Sequence, residues 1–232
     1  MSTTAPRRDR PRFTLAQGTF ETIFGFVYSA LAVNVMLVAT NLPLALAVLL
    51  LPDPLASWPF LLLLSLTLAP SVAGAFAAFR AMREDGPPRP LAEFWRGYRR
   101  SAWRALGVGA VAGAIVFVTM SDVTVFAGTI WAPLAGPTLL VLAASSIVIA
   151  VVALAGFALY PDVSAKAIVK ASIYLAIRRW YFSVMALALI GLVLAAVLVQ
   201  PVFGAAFAPS VLLFAVWGNA HFSFIRLVDA AL

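Results

Sequence analysis

The chain predicts an all-α fold: a polytopic membrane helical bundle with six transmembrane helices and two amphipathic helices on the cytoplasmic side. Three observations carry that prediction. Hydrophobic residues make up 63% of the 232 residues and charged ones 11%, far below the roughly 25% charge of a soluble domain, and the mean hydropathy is +1.02. Charge-free apolar runs of about twenty residues recur, each long enough at ~1.5 Å per residue to cross a hydrocarbon core of about 30 Å. Once six spans are drawn, all 16 Lys and Arg residues fall on one side, as the positive-inside rule requires, and both termini are cytoplasmic.

Residues 1–19 read as a basic cytoplasmic tail and lead-in, because MSTTAPRRDRPR carries Arg7, Arg8, Arg10 and Arg12 with two prolines and little apolar surface to bury. The paired arginines are no export signal: the apolar segment after them is too long for a signal core and lacks a clear small-residue cleavage site. Residues 20–228 form one membrane domain, with 229–232 a short tail. The first span covers about 21–51, longer than a bilayer needs. Two readings stay open: Pro43 kinks one long helix, or the helix stops near Asn41 and the next apolar residues lie along the outer interface. The second span, about 60–82, is free of charge from Phe60 to Phe79 and leaves the membrane at Arg80 and Arg83.

After a turn at Gly86-Pro87-Pro88, Pro90 occupies a first helical position and Glu93 the first turn. From 90 to 104, Leu91, Phe94, Trp95, Tyr98, Ala102 and, just beyond, Ala105 recur at spacings of three and four. Arg96, Arg99, Arg100 and Arg104 take the other side, the pattern of an interfacial amphipathic helix. The third span, about 105–126, holds Gly109 and Gly113, a small-residue face suited to packing against a partner span. The fourth runs about 133–160 and ends at Pro161 and Asp162. A second amphipathic helix, 163–178, sets Ala165, Ile168, Val169, Ser172, Ile173, Ala176 and Ile177 against Lys166 and Lys170, finishing at Arg178 and Arg179. The fifth span is about 181–199. An outer loop opens at Gln200 and Pro201, and the sixth span covers about 209–227. The order of span, amphipathic helix, arginine-rich foot and span occurs twice; re-entry from a basic side explains most of this echo, and internal duplication is the alternative.

Enzymatic chemistry has no footing in this pattern: there is no phosphate-binding loop, nucleophile–base pair or carboxylate dyad. The cysteine count of 0 removes thiolate catalysis, disulfides and Cys-based metal sites. No cofactor and no nucleic-acid partner is expected. The net charge of +7 suits anionic lipids of the inner leaflet, which attract basic segments at about 1 kcal/mol per charge. Arg96, Arg99, Arg100, Arg104, Lys166, Lys170, Arg178 and Arg179 are the candidate cytoplasmic interface, toward such lipid or toward a partner's loops. Within the spans the candidate polar groups are Asn34, Asn41, Asn219 and His221, with Ser65, Thr67, Ser145 and Ser146. They serve either as hydrogen-bonded glue between helices or as a path for a neutral solute. His221, near the inner headgroups, has no Cys or second His with which to hold a metal.

The segment NVMLVATNLP, with Asn34 nine positions before Pro43, and the segments APSVAGAFAAFRAMREDG and AEFWRGYRR resemble the YesL-like family of small bacterial membrane proteins. The matching positions are Asn34, Pro43, Pro70, Arg80 and Phe94. Ala69 stands where that family has glycine, and residues 44–59 read as an insertion. The resemblance runs from Asn34 to Arg100; beyond Asp162 it rests on layout and on DVSAKAIVKAS. It implies a protein of the bacterial cytoplasmic (inner) membrane, accessory to a carbohydrate ABC importer, in a family with no agreed biochemical activity. Two alternatives remain: a channel or facilitator for a small neutral solute, and a membrane-organising scaffold.

Overall fold

Pro43 and Pro70 set where the first two spans break. The computed structural model describes residues 14–54, 56–83 and 89–229, and among these the chain forms nine α-helices and no strand. The basic tail 1–12, the Gly86-Pro87-Pro88 turn and the last three residues lie outside the described residues. Helix α1 (Thr14–Thr40) stops one residue before Asn41, and α2 (Leu42–Leu50) leaves at 72°. The proline lacks the N–H that the residue-39 carbonyl would accept, and its ring crowds that carbonyl. Asn41 covers the break by donating from Nδ2 to the Leu37 carbonyl at 2.8 Å. Of the two readings of the first span, the helix that stops near Asn41 is the one the backbone follows.

The second span is α3 (Trp58–Leu64), a 3₁₀ turn (Ser65–Thr67) and α4 (Leu68–Arg83). Pro70 deprives the residue-66 carbonyl of its donor, and the turn tightens there. The Ser65 and Thr67 hydroxyls bond back to the Leu62 and Leu64 carbonyls at 2.7 and 2.9 Å. Helix α4 is the central rod. Its row of small residues, among them Ala69, Ser71, Ala73, Gly74 and Ala78, is buried on nearly every side, so neighbouring backbones approach closely.

Helix α5 (Pro90–Phe126) corrects the sequence reading. The amphipathic segment 90–104 and the third span are one continuous helix of 37 residues, about 55 Å along its path. The change from basic to apolar side chains leaves the backbone ladder untouched, and Ala102, Ala105 and Leu106 are strong helix formers. The buried face is also rotated from the predicted one. Phe94, Ser101 and Ala105 are buried, with Tyr98 half-buried, whereas Leu91 and Trp95 are exposed.

Helix α6 (Ala132–Leu159) matches the fourth span, and α7 (Ala165–Arg178) is the separate second amphipathic helix. The Ser164 hydroxyl caps α7 by accepting from the Ala167 N–H at 3.4 Å. Its buried residues are Ile168, Ser172 and Leu175, while Ile173 and Ile177 face outward. Helix α8 (Trp180–Val199) follows almost without interruption, then α9 (Pro201–Asp229). The expected outer loop from Gln200 to residue 208 is instead helix. Pro201 starts α9 at the position where a missing N–H costs nothing. Gly204 lies against the Ala196 carbonyl so closely that a Cβ would collide with backbone.

Among the described residues, with α3, the 3₁₀ turn and α4 taken as one, five helical segments are long and apolar enough to cross a membrane, and six if the bent pair α1–α2 is one span. Aromatic contacts show that α1 traverses the bundle. Phe26 meets Phe214 at 5.3 Å, and Phe214 meets Phe79, near the end of α4, at 5.3 Å. Asn41, at the other end of α1, meets Thr67 just before α4 begins.

Candidate functional site

Two polar clusters stand out, one deep in the bundle and one at its basic end. The deep cluster joins the two helix breaks. Thr67 Oγ1 donates to Asn41 Oδ1 at 2.8 Å, and the Thr40 and Ser71 hydroxyls share a hydrogen bond of 2.9 Å. Further along α1, Asn34 Oδ1 accepts from the Ser210 backbone N–H at 2.8 Å, directly after Pro209 inside α9. A proline opens the local ladder, and the asparagine takes the donor beside it. Asn34 and Asn41 are both buried, so these are hydrogen bonds between helices in an apolar setting.

Asn219 and His221 sit elsewhere on α9. Asn219 Nδ2 reaches the Phe182 carbonyl at 3.4 Å, and His221 stacks on Trp217 at 5.1 Å. Among the described residues, Ser29 Oγ, Ser210 Oγ, Trp217 Nε1, Asn219 Oδ1 and His221 Nδ1 are buried polar atoms with no hydrogen-bond partner.

The basic end gathers the C-terminal turns of α4 and α6, the start of α5, all of α7 and the start of α8. Here the arginines divide by what they touch. Arg80 Nη1 donates to the Ala158 and Leu159 carbonyls at 3.0 and 3.2 Å. Arg104 donates to the Pro161 carbonyl at 2.9 Å and to that of Val163, with its guanidinium 4.6 Å above the Phe157 ring. Arg80 caps the C-terminus of α6, where carbonyls lack helical partners and the helix dipole favours a cation, and Arg104 ties down the connection that follows it. Arg100 pairs with Asp162 at 2.7 Å and Arg96 with Glu93 at 2.8 Å, both near the surface. Arg99 lies over Trp95 at 4.8 Å.

Between these groups is a cavity of about 220 Å³ lined by Arg80, Arg96, Arg100, Arg104, Glu93 and Phe157, with alanines of α4 as its apolar wall. Four guanidinium groups and one carboxylate make it cationic. Arg104 and Arg80, expected on a helix face or at a span's end, are drawn inward because an exposed carbonyl row at the end of α6 needs donors. Arg179 is likewise half-buried, donating to Ser223 Oγ at 3.3 Å. Lys166, Lys170 and Arg178 remain exposed on α7, with Arg178 bonded to the Tyr174 hydroxyl.

Of the remaining predicted positions, Phe94 is fully buried, its carbonyl 2.9 Å from where a Cβ on Gly74 would be. Gly109 and Gly113 pack inside the molecule, against Ala69 and Leu66 of the second span, and do not form an outward face for a partner span. Sequence reasoning missed Gly74 and Gly97, which let α4 and α5 touch at the floor of the cavity. The signal available was the run of small residues in SVAGAFAA.

Residues 26–123 match the family described as "Protein of unknown function, DUF624". That segment contains Asn34, Pro43, Pro70, Arg80 and Phe94, and hence the helix breaks and most of the cationic cavity. No curated protein and no solved structure matches the chain.

Proposed function

We propose that this chain is a non-enzymatic accessory protein of the bacterial cytoplasmic membrane that works beside a carbohydrate ABC import system. Its basic end faces the cytosol, and the exposed Lys166, Lys170 and Arg178 of α7 meet the importer's loops. The importer half of this reading rests on the resemblance to YesL-like proteins, which belong to the family matched by residues 26–123. The non-conducting half rests on one observation. Asn34 and Asn41, the polar groups best placed to line a path, are occupied in bonds between α1, the start of α4 and α9.

The test is affinity purification of the tagged full-length protein from its native membranes in mild detergent. Importer permease subunits co-purify, and they are lost when Lys166, Lys170 and Arg178 are changed to glutamine. Repeated recovery of the protein alone overturns the reading.

The facilitator reading is favoured by a different observation, the unpartnered buried atoms of Ser29, Ser210, Trp217, Asn219 and His221, which a passing neutral solute would satisfy. Vesicles containing the protein decide it: sugar permeability equal to that of empty vesicles removes the facilitator. The absence of both flux and importer leaves the membrane-organising scaffold.

A further inference from the structure

We infer that the cavity at the basic end is a binding seat for a phosphoryl anion. The inference goes beyond the accessory role and stands whether or not an importer is the partner. Its walls hold four arginines against one glutamate. Even with Asp162 paired to Arg100 at the rim, guanidinium groups outnumber carboxylates around the hollow and favour an anion in it, and the planar fork of arginine matches phosphate oxygens. The volume of about 220 Å³ corresponds to roughly seven waters at about 30 Å³ each, room for a tetrahedral anion with part of its hydration shell.

The donors are available. Among the described residues, Arg96 engages only Nη1, on the Glu93 carboxylate, and Arg100 only Nη2, on the exposed Asp162. Each guanidinium carries five N–H groups, and surface ion pairs of this kind are worth only about 0–1 kcal/mol, so they yield readily to a better acceptor. Arg80 is held by the last carbonyls of α6 and Arg104 by those of the connection after it, which fixes two cations with little entropy left to lose on binding.

The position suits the anion as well. The cavity lies where the apolar run of α4 ends at Arg80 and where α6 ends at Leu159, with Phe157 and Ala158 on its inner wall. Where a charge-free span gives way to arginines the chain meets lipid headgroup phosphates, and the cavity is open on one side. A phosphatidylglycerol headgroup and a soluble phosphate present the same chemistry to it.

Two arms separate these sources, using the full-length protein throughout. In phosphatidylcholine nanodiscs, inorganic phosphate and glycerol phosphate are titrated and followed by ³¹P NMR. In detergent, native mass spectrometry follows retention of phosphatidylglycerol over phosphatidylcholine. Saturable binding appears in at least one arm, and the arm that shows it names the source. The double variant Arg96→Gln/Arg100→Gln weakens it at least tenfold. Arg99→Gln removes the same charge from the same helix outside the cavity and changes binding less than twofold. Glu93→Gln, which removes the cavity's carboxylate, strengthens it several-fold, a gain that misfolding cannot imitate. The inference is overturned by no binding in either arm, by equal losses in the Arg99 and Arg96/Arg100 variants, or by a Glu93→Gln variant that binds no better.

Discussion

Gly97 makes the most severe demand on residue identity at the basic end. A methyl group at this position would run into the Ala77 side chain of α4, and both helices are held there by the burial of Phe94 and Ala73. Gly97→Ala therefore forces the helices apart and destabilises the protein by about 1–3 kcal/mol, the usual cost of overpacking. Ala77→Gly, by removing the obstructing methyl, restores most of that loss in the double variant. Denaturant titration in detergent micelles checks both. Gly107 is the internal control: no atom lies within 4 Å of its would-be Cβ, so Gly107→Ala is neutral or gains up to about 1 kcal/mol. A destabilised Gly107 variant, or a Gly97 variant that Ala77→Gly fails to rescue, contradicts the packing described. Gly109 and Gly113 could be read from the sequence as close-packing positions because, with Ala105 and Ala112, they form a small-residue stripe in a charge-free apolar run. Gly97 could not: flanked by Arg96 and Tyr98, it carries no pattern that tells which side of the helix is covered.

At the level of elements, apolar length was legible and breaks were legible only in part. A run of twenty uncharged residues has few alternatives to a membrane-crossing helix, and so α6 and α8 begin and end within a residue or so of expectation. At residue 105 the change of side-chain polarity looks like a change of helix, yet the backbone has no reason to stop. The start of α9 misleads for the opposite reason. Pro201, Gly204 and Pro209 look like loop punctuation, yet the first begins a helix, the second permits a tight approach to α8, and the third is accommodated by Asn34 from α1. That last contact spans 176 positions in sequence, beyond any local pattern. The break at Asn41 depends on its opposite number at Ser65–Thr67, and a double-mutant cycle measures the dependence. Asn41→Ala and Thr67→Ala each lose the 2.8 Å hydrogen bond between them, so the combined variant loses it only once. A coupling energy of about 0.6–1.7 kcal/mol is expected, the range for hydrogen bonds between membrane helices. Additive losses would mean that the two breaks are independent.

For the whole molecule, the question is whether charge sorting and helix packing describe the same object. Charge sorting asks that Arg80, the arginines of α5 and the cations of α7 share one compartment. Packing answers from unrelated contacts: Arg80 reaches the end of α6, Arg100 and Arg104 reach the α6–α7 connection, and Arg179 reaches α9. These bonds could not form if any of those helices ran the other way. Helix α1 runs the length of the bundle, with Phe26 beside the aromatic column near the basic end and Asn41 far from it, and a sixth crossing follows if α1 and α2 together make one span. A cysteine count of 0 permits single-cysteine labelling with no background. Cysteines placed at Arg99 and Arg178 resist a membrane-impermeant maleimide in intact cells and react after lysis, whereas cysteines at Asp53 and Thr129, in exposed connections at the other end, react before lysis. A cysteine at Thr14, where α1 begins, is the sharper probe: α3 and α4 fix the side of Asp53, so Thr14 alone reports on α1 and α2. Protection of Thr14 along with Arg99 makes the broken first span a crossing; if Thr14 reacts before lysis along with Asp53, α1 and α2 dip into the membrane and return, and the chain crosses five times.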